Sequence, residues 1–186
     1  MKKCAVFLLL FLFLSGCTEP PDEMETGLEL RSRLLQASQC TFTAEITADY
    51  GDKVHIFSMD CRTDPKGTVT FTVTKPDTIS GISGSISEAG GVLAFDDKAL
   101  HFGLLTEKQL SPISAPWIVM KTLRSGCMVS AGTENDTVRL SIDDTYEKDP
   151  LRLDIWLNAR NDPEHADILY DGRRILSVAV ENFEIL

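Results

Sequence analysis

Beyond residue 40 the chain alternates. In residues 41–48 Phe42, Ala44, Ile46 and Ala48 occupy every second place against Thr41, Thr43, Glu45 and Thr47, the period of a strand with one buried face. Residues 68–74 repeat the pattern and stop at Lys75-Pro76-Asp77, where proline ends the ladder. Residues 53–61 return along 41–50 across a Gly51-Asp52 turn, and 91–95 with 99–102 form a second hairpin about Asp96-Asp97-Lys98. The Ile, Gly and Ser repeat of 79–86 reads as a bent or bulged strand, since glycine accepts sharp curvature where a sheet coils. Further strands are expected over 137–142, 151–157, 166–170 and 174–185. The last has apolar residues on both sides at 175–180, which predicts cover on both faces.

Two segments change period. Within 22–38, Met24, Leu28, Leu30, Leu34, Leu35 and Ala37 recur near every third or fourth place, the spacing of an amphipathic helix. A second helix is expected where Ser114 and Pro116 form a start signal, Trp117, Ile118, Met120 and Leu123 follow, and Gly126 gives a stop. The fold class is therefore α+β, mainly β: a long antiparallel sheet of about ten strands, an N-terminal helix and one inserted helix.

The N-terminus carries an address. Lys2 and Lys3 precede an apolar run from Cys4 to Leu14, and Leu14-Ser15-Gly16-Cys17 closes it. The run is shorter than the ~20 apolar residues that span a bilayer, and it has the n-region and h-region of an export signal. The tetrapeptide resembles the lipobox of bacterial lipoproteins. That resemblance implies cleavage after residue 16 and acylation of Cys17, so residues 1–16 are read as a lipoprotein signal peptide, 17–25 as a lipidated tether containing Pro20-Pro21, and 26–186 as one domain. The expected location is the extracytoplasmic side of a membrane, held by the acyl chains on Cys17.

The formal charge of −10 becomes −12 when Lys2 and Lys3 leave with the signal. An acidic surface excludes nucleic acid and anionic lipid as partners held by general attraction. Cys40, Cys61 and Cys127 remain in a disulfide-permissive compartment. Cys40 and Cys61 share a face of the first hairpin if its paired numbers sum to 101 or 103, and a Cys40–Cys61 disulfide is expected, with free thiols as the alternative. Cys127 reads as a buried apolar residue beside Met128 and Val129.

Chemistry-bearing patterns are sparse. His55, His101 and His165 are scattered, and there is no CxxC pair, GxSxG elbow, phosphate-binding glycine loop or calcium loop. No catalytic residue, metal site or cofactor is expected. Asn135-Asp136-Thr137 matches a glycosylation acceptor by composition alone.

The element order and the lipoprotein address together resemble the LolA/LolB-type lipoprotein carriers, over most of residues 22–186. That resemblance implies an unclosed half-barrel round a hydrophobic cavity with a helical segment at its mouth. Carried over by position, 110–120 would be the plug, with Trp117 and Met120 facing the ligand, and Phe42, Ile46, Phe57, Met59, Phe71 and Val73 would line the concave face. A hairpin disulfide is not part of that pattern. Patterning alone does not separate a filled core from a cavity, so two readings stand: a lipid-anchored module binding a lipid, acyl chain or lipidated protein, and an envelope lipoprotein that docks another protein along a sheet edge.

Overall fold

The structure is a computed structural model and describes residues 22–186 other than 52, 97, 104, 107 and 108. The signal, the tether and Cys17 lie outside the described residues. The first described element is helix α1 (Glu23–Gln36). Asp22 caps it, its carboxylate accepting from the Met24 amide at 3.3 Å, and Glu23 and Glu25 in the first turn with Arg33 in the last complement the helix dipole. Gly27 is where the helix meets the sheet: a Cβ there would stand 2.9 Å from Met128 Cε and 3.0 Å from the Leu140 methyls.

The strands follow as β1 (Cys40–Asp49), β2 (Val54–Thr63), β3 (Val69–Lys75), β4 (Ser83–Ser87), β5 (Gly90–Phe95), β6 (Lys98–Phe102), β7 (Leu105–Thr106) and β8 (Gln109–Leu110). A 3-10 turn (Pro112–Ser114) leads into helix α2 (Ala115–Ser125), and β9 (Cys127–Glu134), β10 (Thr137–Asp143), β11 (Arg152–Leu157), β12 (Pro163–Tyr170) and β13 (Arg173–Ile185) complete the chain. Eleven strands form one antiparallel sheet in the order β6-β5-β4-β3-β2-β1-β13-β12-β11-β10-β9, while β7 and β8 pair separately. The final strand inserts beside the first, so the two chain ends of the domain meet in mid-sheet. There Ser38 and Gln39 donate their amides to the Leu186 carbonyl. The sheet is an unclosed half-barrel with β6 and β9 as its edges, and both helices sit on one face of it.

That helix-bearing inner face holds the core: Ala44 and Ile46 on β1, Met59 on β2, Leu140 and Ile142 on β10, Ile155 on β11, Ile168 on β12 and Val178 on β13 are all fully buried. The second helix forms between Ser114 and Gly126 with Pro116 in its first turn, and the Ser114 hydroxyl donates back to the Ser111 carbonyl rather than capping the helix.

The structure departs from the sequence reading at four places. Residues 79–82 are a turn, not strand: the Ile79 amide donates to the Pro76 carbonyl, Gly81 takes φ +87°, and the strand starts only at Ser83. Strand β9 was not expected, because a bulge beside Val129 puts Met128 and Ala131, three residues apart, on the same face and hides the alternation. Strand β13 is buried on one face only; Leu176, Val178 and Val180 point in, while Ile175, Ser177 and Ala179 stay half-buried outside.

The fourth concerns the cysteines. Cys40, Cys61 and Cys127 are free thiols. The hairpin does pair on the sum 103, but Cys40 faces Thr63 and Cys61 faces Phe42, so the two cysteines are diagonal neighbours. Such Cα atoms lie ~7–8 Å apart, outside the usual disulfide range. Cys127 is half-buried rather than enclosed.

Candidate ligand-binding face

Helix α2 lies against the inner face and is pinned at several points. Arg31 Nε of α1 donates to the Leu123 carbonyl at 2.8 Å, and the Arg124 guanidinium donates to the Asp64 and Pro65 carbonyls at 3.2 and 2.8 Å. Just upstream, the Tyr50 hydroxyl donates to the Leu110 carbonyl at 3.4 Å. Trp117, Ile118, Val119, Met120 and Leu123 are buried, and Lys121 Nζ lies 5.4 Å from the Trp117 ring centre.

The residues expected to line a cavity are gathered here. Phe42, Ile46, Met59, Phe71, Val73, Trp117 and Met120 belong to one buried cluster, with Phe57 half-buried at its margin. Ile46 and Met59 are 0% exposed and Trp117 6% exposed. A void able to admit a water-sized probe would show as accessible area on its lining, so this half of the inner face is filled by side chains.

The inner face does not stop there. Pairing carries it outward row by row: Phe71 stands opposite Gly84, Gly84 opposite Leu93, and Leu93 opposite Leu100. In the next row Ile86 faces Gly91, and Gly91 faces Phe102, whose ring occupies the space a Cβ on Gly91 would need. Leu93 and Phe102 pack at the margin of the core, but Phe95 is 55% and Leu100 64% exposed. Four apolar side chains thus extend the inner face over β5 and β6, past the helices. Sequence reasoning found this hairpin but gave it no role; the signal was the apolar run Val92-Leu93-Ala94-Phe95 facing Leu100 and Phe102 across a polar turn.

The outer face carries the polar groups. Asp154 accepts from Ser141 Oγ at 2.6 Å and from Arg139 Nη2 at 2.6 Å, and Arg139 lies 5.2 Å from the Trp156 ring, which meets the His165 ring at 5.3 Å and a tilt of 52°. Ser177 Oγ donates to Asp167 Oδ1 at 2.8 Å and lies 3.3 Å from His165 Nε2, itself 3.1 Å from the same Asp167 oxygen. Serine and aspartate therefore meet one nitrogen, whereas a hydrolytic triad sets the acid on Nδ1 and the serine on Nε2. Burial by itself would raise the Asp167 pKa, but the bonds from His165 and Ser177 and the charge of Arg174 outweigh it and hold that carboxyl below its usual range. Burial pushes the Cys40 and Cys61 thiols up, which disfavours the thiolate. Among the described residues no cluster of metal-ligating side chains occurs, and no helix is long and apolar enough to cross a membrane.

No family model matches the chain, and no curated protein matches it. Solved structures similar to it include a LolA superfamily protein from Nitrosomonas europaea, at 8% identity and a TM-score of 0.48 over 86% of this chain and 93% of that one. The lipoprotein LppX of Mycobacterium tuberculosis is similar at 12% identity and a TM-score of 0.42, over 87% of this chain and 92% of its own. A chain in the structure of the CwlD amidase from Clostridioides difficile in complex with the GerS lipoprotein is similar at 12% identity and a TM-score of 0.45, over 91% of this chain and 99% of that one. These similarities run nearly end to end, and the fold itself stands on the strand order and helix placement described above: the unclosed, mainly antiparallel sheet that the LolA-type resemblance implied.

Proposed function

We propose that this protein is an envelope lipoprotein, anchored through Cys17, whose inner sheet face binds an apolar chain: a lipid, a free acyl chain or the acylated end of another protein. The observation that carries the reading is the strip formed by Leu93, Phe95, Leu100 and Phe102, which continues the core face over β5 and β6 with Phe95 and Leu100 exposed. Exposed apolar surface contiguous with a core is a usual mark of a ligand or partner site. Phe71 and Val73, buried at the near side of this strip, form its boundary with the core, and Phe42, Ile46, Met59, Trp117 and Met120 lie in the adjoining buried cluster.

The experiment is direct. Organic extraction of the purified protein followed by mass spectrometry should recover a co-purifying lipid, and a fluorescent fatty acid should bind saturably and be displaced by oleate. A lipid-free protein that gives only linear, non-displaceable signal refutes the reading.

The second reading, docking of another protein along the sheet, is favoured by β6. Its pairing with β5 runs without a register shift, and Lys98, Ala99, Leu100 and His101 are all exposed. A regular edge defended by a single lysine can accept an added strand. A partner that protects the β6 amides from hydrogen exchange while leaving fatty-acid binding unchanged would favour it.

A further inference from the structure

The outer face holds a second concavity, far from the acyl strip in chemistry and on the opposite side of the sheet. It is a depression of about 490 Å³, within the ~300–1,000 Å³ range of small-molecule sites. Its floor is laid by two pairs of short side chains, Thr41 and Thr43 on β1 and Thr70 and Thr72 on β3, with Arg62 and Asp60 of β2 standing between them. Register makes the trough: Arg62 on β2 and Glu184 on β13 both stand opposite Thr41, one on each flank, and Asp60 stands opposite Thr43. From β13 to β3 the depression crosses three interstrand spacings, roughly 14 Å.

A bulge deepens the trough. Between Thr41 and Thr43 the partner strand advances from Glu184 to Glu181, one residue more than β1 does. Asn182 takes up the excess with φ +53° and is exposed, while Phe183 turns inward and meets the Phe42 ring at 5.9 Å. The amide of Asn182 thereby joins the outer wall. An irregularity that bends a strand and re-aims a planar amide costs ladder bonds, and here it supplies the wall with a group that both donates and accepts.

The lining selects a ligand class. Arg62 donates, Asp60 and Glu184 accept, Asn182 does both, and the threonines offer hydroxyls beside methyl groups. Among the described residues none of Arg62, Asp60 and Glu184 is in an ion pair. Asp60 takes one bond, from Thr43 Oγ1 at 3.0 Å, which leaves acceptor capacity on that carboxylate. Two carboxylates against one guanidinium disfavour an anion, and three charged groups, an amide and four threonines make a poor wall for an acyl chain. A neutral ligand rich in hydroxyls, each of which gives and takes a hydrogen bond, satisfies all four groups at once. The geometry points to a binding site for a neutral oligosaccharide in this trough, independent of the inner face.

The test is a titration of the purified protein with tetra-N-acetylchitotetraose and, separately, with maltotetraose, read by backbone amide NMR. Saturating shifts at Thr41, Thr43, Arg62 and Asn182, complete below about 10 mM of at least one sugar, are expected. Arg62→Ala should weaken that binding about tenfold or more, the loss of one charged hydrogen bond, and Thr43→Val should weaken it too, while Leu100→Ala should leave it unchanged. Arg62 is exposed and its guanidinium has no hydrogen-bond partner among the described residues, so its replacement should leave the rest of the amide spectrum in place. The site is overturned if neither sugar shifts these amides, if Arg62→Ala and Thr43→Val both bind as the parent does, or if sodium sulfate alone reproduces the shifts. An effect of the chitin fragment alone identifies the acetamido group as part of the ligand, and equal effects identify the ring hydroxyls.

Discussion

Leu100→Ala separates a ligand surface from a core. Fully burying a leucine contributes about 1.5–3 kcal/mol, and Leu100 is 64% exposed, so an occupant that covers it gains about 1–2 kcal/mol there. Truncation should remove most of that, weakening the fluorescent fatty acid by roughly 5- to 30-fold. The unliganded fold should barely notice, because an exposed substitution away from special features changes stability by about 0.5 kcal/mol or less. In a chain of this size that is a shift of at most about 2 °C in Tm. Met59→Ala is the counterpart: Met59 is fully buried, and such truncations cost about 2–5 kcal/mol, a fall of roughly 4–20 °C. Circular dichroism melts and fatty-acid titrations on the same preparations give both numbers. If Leu100→Ala melts like Met59→Ala, the strip is packed core; if it melts like the parent and binds like the parent, the ligand lies elsewhere.

Three other perturbations probe the fold. Cys127, half-buried, should be alkylated by iodoacetamide in the native protein well before the enclosed Cys40 and Cys61, whose thiols burial keeps protonated; peptide mapping that recovers Cys40 linked to Cys61 would overturn the register argument. Asp167 has a depressed pKa, so its contribution is present above the unfolded value near ~3.9 and is lost as pH falls through the lower folded value. Asp167→Asn should therefore cost about 1 kcal/mol at pH 7 and much less at pH 2–3 in urea melts, and an equal cost at both pH values refutes the charge-based account. At Gly27, leucine should overpack Met128 and Leu140 and cost about 1–3 kcal/mol, while alanine, which gains up to ~1 kcal/mol of helix propensity against a small shift of flexible side-chain ends, should melt within a few degrees of the parent.

How far the sequence could be read depended on what kind of signal each element carries. Strands β1 and β3 show period-two alternation because one face is packed and the other wet, and α2 is bracketed by Ser114, Pro116 and Gly126. Strand β9 was hidden because a single extra residue at its bulge shifts the phase, and alternation has no means of marking an insertion. The turn at 79–82 carries isoleucines at strand-like spacing, and what decides against a strand is the local turn bonding of Ile79 to Pro76 and Ile82 to Ile79 with Gly81 at φ +87°. The site divides the same way. Phe42, Ile46, Met59, Phe71 and Val73 were recognisable as one face, but whether that face is covered depends on where α2 comes to rest, and no local pattern encodes the end point of a connection. Phe95 and Leu100 were visible as members of a short hairpin, and their exposure was not.

Helix length explains why the uncovered end had to exist. Helix α1 has 14 residues and α2 has 11, which at 1.5 Å per residue are about 21 and 16 Å long. Eleven strands at ~4.8 Å span roughly 48 Å along the sheet. Even laid end to end the two helices cannot cover that width, and they are not laid end to end: α1 packs on β9 and β10, and α2 on β10, β12 and β13 as well as on α1. Their cover is spent on the β9 side, next to the start of α1, where Thr133 Oγ1 of β9 donates to Glu23. The strands left over are those at the β6 end, where glycines let Phe71 and Phe102 lie flat and the remaining apolar side chains face solvent. Strands β1 and β13 join the two arms of the sheet in the middle, and the arm at the β6 end keeps an apolar face on which Phe95 and Leu100 are exposed.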